Sequence, residues 1–519
     1  MGARFEPVNP LAKPLGIAAL FVVAVLVLAP VLALLLRAEA GGVSAAVWPA
    51  IRFTLLQASL SALISVALAV PLAKALARRA FFGRGVMVSL LGAPFLLPSI
   101  VAVLGLLAIW GRSGVFSDML AIVGLGPLDI YGLEGVLLAH VFFNLPLATR
   151  MLLQGWQAVP SEHFRLAAQL DLAPRARFAL FDMPVLRGAA PSALLVIFML
   201  CMSSFAVVLA LGGGPKASTI ELAIYQALRF EFDLASAAQL AIVQLLVGLV
   251  AAALAFHFGK AARFGGGLGA PFQNWEMRRG PKLWDGAVLV LAAAFVGLPL
   301  LAILAKGLLG LAALPSGLWA AFGVSLGVAA ASTLLALGLS LALAQLIETS
   351  KRGGAIELFT LLLLATSPFV IGTGLFIIIN PFASPFALAL PITALVNAAL
   401  ALPIMLRILR PALSRVRQDY GRLAEGLGLS GWARFRLLTF PQIRPELGFA
   451  TGLAAALSMG DLGVIALFAP PDVQTLPLLM YRLMGSYQME AAAGVALVLV
   501  ASSFGLFYLF DKGGRGAGA

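Results

Sequence analysis

The sequence predicts an all-α polytopic membrane protein of about twelve transmembrane helices, arranged as two parallel-repeat halves. Three observations predict it. Of the 519 residues, 61% are hydrophobic and only 11% charged, with a mean hydropathy of +1.03. Apolar runs on that scale need lipid as their solvent. Twelve runs reach the about 20 apolar residues that a span requires, and none shows the strict alternation of a barrel strand. Finally, the second half repeats the first. With Pro146 set on Pro403, an offset of 257 residues, Arg150 falls on Arg407, Arg165 on Arg422, Arg177-Phe178 on Arg434-Phe435, Pro184 on Pro441 and Arg187 on Arg444, without a gap. A repeated membrane unit points to a transporter with two matched halves.

The expected spans are 15–36, 51–77, 86–110, 132–155, 188–211 and 236–258, then 286–306, 320–347, 356–380, 387–408, 446–468 and 488–510. The first run is too long for a signal-peptide core and lacks a small-x-small cleavage site, so it reads as a retained helix. Between the two sets of six lies a Gly-rich, basic stretch, which reads as a cytoplasmic linker. The domains are therefore 1–258, a linker over 259–285, and 286–519. Six spans return the chain to its starting side, so the second copy enters with the same orientation. The repeat also covers the second span of each half: Thr54–Ala75 matches Ser325–Leu346 at an offset of 271, with Ser61 on Ser332. Small residues crowd these spans, as close helix packing in lipid demands.

The net charge of +13 invites a nucleic-acid reading, but its distribution opposes it. With the N-terminus inside, the external segments would hold only Arg37, Arg52, Arg112, Lys216, Arg229, Lys306 and Arg482 of the 35 Lys and Arg. That is the positive-inside pattern, and it places both termini in the cytoplasm. No nucleic-acid partner is expected. The single cysteine, Cys201, precludes an intrachain disulfide and reads as a small packing residue. No His/Cys/Asp/Glu cluster has metal-ligand spacing. No nucleophile–base arrangement is visible either, so no catalytic residue and no bound cofactor are expected of this chain.

Two polar, basic segments interrupt the oily sequence at equivalent places, 160–187 and 417–444. Each holds a short helix candidate, a break, a basic helical stretch and then Pro184 or Pro441 before the next span. Leu423 and Leu427, four apart, would share a helix face. Gly428 suits a helix end with positive φ, and Asp171 would take the same turn at some cost. The plain alternative is a pair of amphipathic interface helices. The pattern resembles the cytoplasmic loop of ATP-binding-cassette importer permeases, E-A-A, three residues, Gly, then an apolar residue and L-P further on. Here Arg165 and Arg422 stand at the Glu position, and Asp171 replaces Gly in the first copy. The resemblance implies the type I importer permease fold. It also implies that Arg165, Leu166, Ala167, Ala168 and Asp171, with Arg422, Leu423, Ala424, Glu425 and Gly428, couple the membrane helices to a cytoplasmic ATPase. Two segments imply two ATPase copies. The chain carries no P-loop of its own, since Gly259-Lys260 lacks the Gly spacing, so ATP and Mg would sit on the partner.

The segments after the fifth spans, SSFAVVLALGGGPKASTIELAIYQ at 203–226 and SMGDLGVIALFAPPDVQTLPLLMYRLMGSYQ at 458–488, are similar to the fused permease of the thiamine and thiamine-pyrophosphate importer, a similarity that runs through most of the chain. It implies a bacterial inner-membrane permease that works by alternating access. A periplasmic binding protein would deliver thiamine or its phosphates, with Glu221, Tyr225, Tyr481 and Tyr487 near its contact surface. The alternative for the tyrosines is headgroup anchoring. Within the spans, Asp461 is a costly intramembrane carboxylate whose repeat mate is Ser204. Ser203, Ser204, Phe205, Gly460 and Asp461 are the expected path and gate residues, with Asp461 attracting a thiazolium cation and Phe205 stacking on it. The alternative is that Asp461 caps or crosslinks helices. His140, whose repeat mate is Asn397, reads as an interhelical hydrogen-bonding residue. Two rival functions use the same spans: a ferric-iron importer permease, and a proton-coupled secondary transporter, which would leave the paired cytoplasmic segments unexplained.

Overall fold

The computed structural model describes residues 12–38, 47–212, 214, 217–258, 279–363 and 366–515. All regular structure among these residues is helical, and eleven helical runs are long and apolar enough to cross a membrane. The expected third span, 86–110, is broken between Arg84–Leu90 and Ser99–Trp110, and the ninth, 356–380, is two shorter helices, Gly353–Leu362 and Pro368–Ile379. Ser367 caps the second by accepting a hydrogen bond from Phe369 N at 3.1 Å. Pro368 occupies the first turn, where a missing N–H is not needed. Most of the expected linker, 259–278, lies outside the described residues, and helix already begins at Arg279.

The principal helices of the first half are α1 (Ala12–Arg37), α2 (Trp48–Arg78), α3 (Ser99–Trp110), α4 (Leu133–Gln157), α5 (Ser161–Gln169), α6 (Met183–Met202), α7 (Phe205–Leu211), α8 (Ile220–Gln226) and α9 (Leu234–Phe258). Those of the second are α10 (Arg279–Gly310), α11 (Leu318–Thr349), α12 (Pro368–Ile379), α13 (Ala389–Gly426), α14 (Phe440–Met459), α15 (Gly463–Phe468), α16 (Leu476–Gly485) and α17 (Met489–Arg515). The repeat is almost residue for residue. α6 and α14 are both 20 residues long and begin 257 residues apart.

The helices form two compact units, and these do not coincide with the sequence halves 1–258 and 286–519. Among the described residues, one unit joins α1 and residues 223–245 to those from 308 to 515; the other joins those of 47–222 to 246–258 and 279–307, which include most of α10. Each half's first helix therefore packs in the unit built by the other half's spans. The contacts are repeat mates. A Cβ on Gly374 of α12 would lie 2.6 Å from the Pro30 carbonyl oxygen of α1, and one on Gly105 of α3 would lie 2.8 Å from that of Pro299 in α10. Only glycine permits backbones so close. Small side chains serve the same end elsewhere: Ala336, Ala398, Ala401, Ala450 and Ala454 pack with Met405 and Leu409 where α11, α13 and α14 meet.

Candidate functional site

The two repeated polar segments, 160–187 and 417–444, fold alike. α5 ends at Asp171, with φ +42°, and the end of α13 reaches its repeat mate Gly428, with φ +66°. Leu172 N donates to Ala167 O at 3.1 Å and Leu429 N to Ala424 O at 2.9 Å, the backbone closure of a helix that ends in a left-handed residue. Asp171 thus takes the glycine's conformation, as expected. Ala167 and Ala424 are buried, whereas Leu166, Leu170, Leu423 and Leu427 are 54%, 62%, 55% and 64% exposed. Arg422 and Glu425 are also exposed; Arg165 and Ala168 lie on α5, but their side chains are outside the described residues. After each turn comes one short helical turn, Pro174–Arg177 or Gly431–Arg434, and then a π-helical turn, Phe178–Asp182 or Phe435–Thr439. Leu180 and Leu437, repeat mates in those π turns, are exposed as well. The same apolar patch is therefore displayed twice.

The segments differ in how they join the membrane helices. α4 stops before Pro160, which has no N–H to donate and disfavours helix at Val159. The repeat mate of Pro160 is Arg417, and there α13 runs unbroken for 38 residues from the fourth span to Gly426. Arg417 donates to the Glu348 carbonyl oxygen, and Arg410 pairs with Glu348 and Glu357, tying α13 to α11 and the helix Gly353–Leu362. A cavity of about 630 Å3 lies beside this junction, lined by Glu348, Ser414, Arg417, Gln418, Asp419 and Arg422.

Both fifth spans break in mid-course, α6 from α7 at Ser203-Ser204 and α14 from α15 at Gly460-Asp461-Leu462. Each distal helix begins at a carboxylate, the favourable charge for a helix N-terminus. Asp461 Oδ1 accepts from Gly463 N at 3.2 Å, while its Oδ2 is buried without a hydrogen-bond partner. In the first half the mate, Ser204, turns back to the Cys201 carbonyl at 2.9 Å, and Glu221 caps instead, its Oε2 accepting from Phe205 N at 3.0 Å. Glu221 is 1% exposed, so an expected surface contact is an internal cap. Phe205 is buried too and does not present a face for stacking, whereas Ser203 is exposed.

Helices α8 and α16, which follow the broken fifth spans, are anchored in parallel. Ile220 N donates to Thr54 Oγ1 at 2.9 Å and Leu476 N to Ser325 Oγ at 2.8 Å, so repeat-mate hydroxyls on α2 and α11 hold α8 and α16. Tyr225 and Tyr481 are half-buried, and burial pushes both phenols above their ordinary pKa. Tyr225 packs edge-on against Phe230 at 5.6 Å. Arg229 donates to Ala469 O at 2.8 Å and Arg482 to Pro471 O at 2.9 Å, so both arginines hold the turn after α15. Burial, followed by the Arg229 charge, lowers the Arg482 pKa. Sequence reasoning passed over these two arginines, although each is among the few basic residues expected on the external side and lies close to Tyr225 or Tyr481. Tyr487 is 88% exposed with φ +61°, a left-handed conformation uncommon for a bulky residue.

A model of the binding-protein-dependent transport system inner membrane component matches residues 335–513. The thiamine transport system permease protein of Brucella melitensis biotype 1 is 40% identical, over 98% of this chain and 97% of its own length. That of Escherichia coli K12 is 37% identical, over 99% and 98%. A putative 2-aminoethylphosphonate transport system permease protein of Salmonella paratyphi A is 33% identical over 19% of this chain and 38% of its own. The chain belongs to the family of thiamine transport system permease proteins. Membership makes it a multi-pass permease of the inner membrane, a transport subunit of a binding-protein-dependent system.

In this permease, polar side chains join the spans at matched positions. Ser61 Oγ lies 2.9 Å from His140 Nδ1, joining α2 to α4. Asn144 reaches Cys201 Sγ at 3.3 Å, and Gln57 donates to the Cys201 carbonyl at 3.0 Å. In the other unit Ser458, the repeat mate of Cys201, receives Ser332 Oγ at 2.7 Å and Asn397 Nδ2 at 3.1 Å. His140 is therefore an interhelical hydrogen-bonding residue. These bonds add specificity to helix packing in lipid, each worth about 1 kcal/mol.

Proposed function

We propose that the chain is the permease of an ATP-driven importer that moves thiamine and its phosphates into the cytoplasm. The observation that carries the reading is near full-length identity of 40% to a thiamine transport system permease protein. A periplasmic binding protein delivers the substrate, and two copies of a cytoplasmic ATPase, each with ATP and Mg, drive the cycle. The duplicated apolar patch, Leu166, Leu170 and Leu180 against Leu423, Leu427 and Leu437, supports two docking events of one kind, since exposed apolar patches mark association sites. The basic residues concentrated in the cytoplasmic segments support an orientation with both termini inside.

The chain itself breaks no bond. ATP binding closes the ATPase pair and draws the coupling segments together, which opens the outer side; hydrolysis restores the inward-facing state. Ser203, Ser204, Gly460 and Asp461 stand at the breaks of the fifth spans, where unwound backbone is tolerated only beside protein or a water-filled cavity. The unpaired Oδ2 of Asp461 is suited to a cationic thiazolium. Exposed Tyr487, with Tyr225 and Tyr481, contributes to the surface that the binding protein meets. The test is uptake of labelled thiamine into proteoliposomes holding the permease, its ATPase and its binding protein. ATP-dependent accumulation is expected. Accumulation of ferric iron instead overturns the substrate, and uptake driven by a proton gradient without ATP overturns the class.

A further inference from the structure

The broken helix of the first half raises a mechanical question. In the second half the coupling segment and the fourth span are one helix, so a push on Leu427 reaches the membrane through continuous backbone. In the first half Pro160 interrupts that path, and α5 is joined to α4 by a non-helical turn. Something else must hold the first segment in register.

A partly buried side-chain clasp lies at that place. Asp182 ends the π turn that follows the first coupling segment, and it is 8% exposed. Its Oδ1 accepts from Trp156 Nε1 at 3.0 Å, and Trp156 is in the last turn of α4, just before the break. Its Oδ2 pairs with Lys74 Nζ, from the cytoplasmic end of α2. Lys74 also lies 5.9 Å from the Phe178 ring centroid, on the same π turn. One carboxylate thus fastens the far end of the segment to the helix that leads into it and to a second span. The repeat mates of Asp182, Trp156 and Lys74 are Thr439, Leu413 and Gln345, which cannot form an ion pair. The clasp is present where the helix is broken and missing where the helix is whole.

We infer that Asp182 is a positioning residue of the ATP-driven cycle, transmitting movement of the first coupling segment to α2 and α4 in place of the continuous helix that does so in the second half. The inference rests on the reading of 160–187 as a coupling segment. The pair is only partly buried, with Lys74 reaching solvent, but breaking it on one side still leaves Asp182, largely buried, without its counter-charge.

The test uses the full complex with its ATPase and binding protein in proteoliposomes, and reads ATP hydrolysed per thiamine accumulated. Asp182→Asn is expected to raise that ratio by about threefold or more, within the range by which side-chain networks alter coupling between sites. Lys74→Met is expected to do the same, and the double variant no more than either single one. Asp182→Glu should recover part of the coupling, and Thr439→Ala should leave the ratio unchanged. A merely structural residue would lower uptake and hydrolysis together at constant ratio, and that result overturns the inference. If Asp182→Asn fails to assemble, Trp156→Phe removes one bond and keeps the ion pair. A raised ratio there supports the clasp, and an unchanged one overturns it. Wild-type uptake indifferent to ATP would overturn the coupling reading and the clasp with it, whereas ATP-driven wild-type uptake with unaltered variants overturns the clasp alone.

Discussion

Replacing Leu423 and Leu427 together by Ala should weaken ATPase binding without weakening the fold. Leu→Ala removes three carbons, worth about 2 kcal/mol where a site is fully covered. In the free permease the two side chains are 55% and 64% exposed, so docking adds at most that share of burial, or about 1.2 kcal/mol each by the same scale. The pair then contributes up to about 2.5 kcal/mol, on the order of fifty-fold in Kd. The assay is titration of detergent-solubilised permease with the purified ATPase, alongside a thermal melt. The melt should not move, because neither leucine belongs to the buried core. Leu409→Ala is the control: Leu409 is fully buried between helices, and its truncation should cost about 2–5 kcal/mol of stability. Unchanged ATPase affinity in the double variant, with both coupling sites present, would refute the docking argument.

Arg417→Pro should break α13 where the first half is already broken, costing about 3 kcal/mol; helicity by circular dichroism and loss of ATP-driven uptake would report it. Asp461→Asn keeps an oxygen to accept from Gly463 N, so the melt should hold while thiamine uptake falls; normal uptake would remove Asp461 from the transport path. Glu221→Ala deletes the buried cap of α7 and should cost about 1.5–3 kcal/mol, read as a lowered Tm, because a hydrogen bond to a charged group is lost. Gly374→Ala brings a methyl against the Pro30 backbone, and overpacking of that kind costs about 1–3 kcal/mol; an unaltered melt would show that α1 shifts freely on α12.

Periodicity and repetition made the helical class and the two left-handed turns at Asp171 and Gly428 legible. The turn at Asp171 could be placed because its mate is a glycine, and a left-handed residue leaves that mark in a repeat. The third spans were less legible. The apolar run 356–380 is long enough to cross, and only Ser367-Pro368, a cap followed by a first-turn proline, shows that it restarts partway. The exchange of first helices was not legible, since Gly374 and Gly105 announce a close approach but not its partner. Glu221 misled for a related reason. A glutamate in an external amphipathic stretch reads as solvent-facing, and nothing local reveals that a helix N-terminus 16 residues earlier in the chain needs an anion. Leu166 and Leu423, by contrast, lie in segments so polar that an exposed apolar residue stands out.

The two caps of the broken fifth spans carry a mechanical consequence. In the second half the cap is local: Asp461 sits two residues before the N–H it receives, so α15 keeps its cap however α16 moves. In the first half the cap arrives from α8, whose own first turn is held by Thr54 on α2. Displacing α8 would therefore strip α7 of its anion and leave buried donors to find another partner, at a cost of about 1–3 kcal/mol. One carboxylate thus links the outer helix to the broken span of the first half, while the cap of the second half is local. Glu221 is committed to the backbone of α7, whereas Asp461 caps its own helix with Oδ1 and buries Oδ2 at the break.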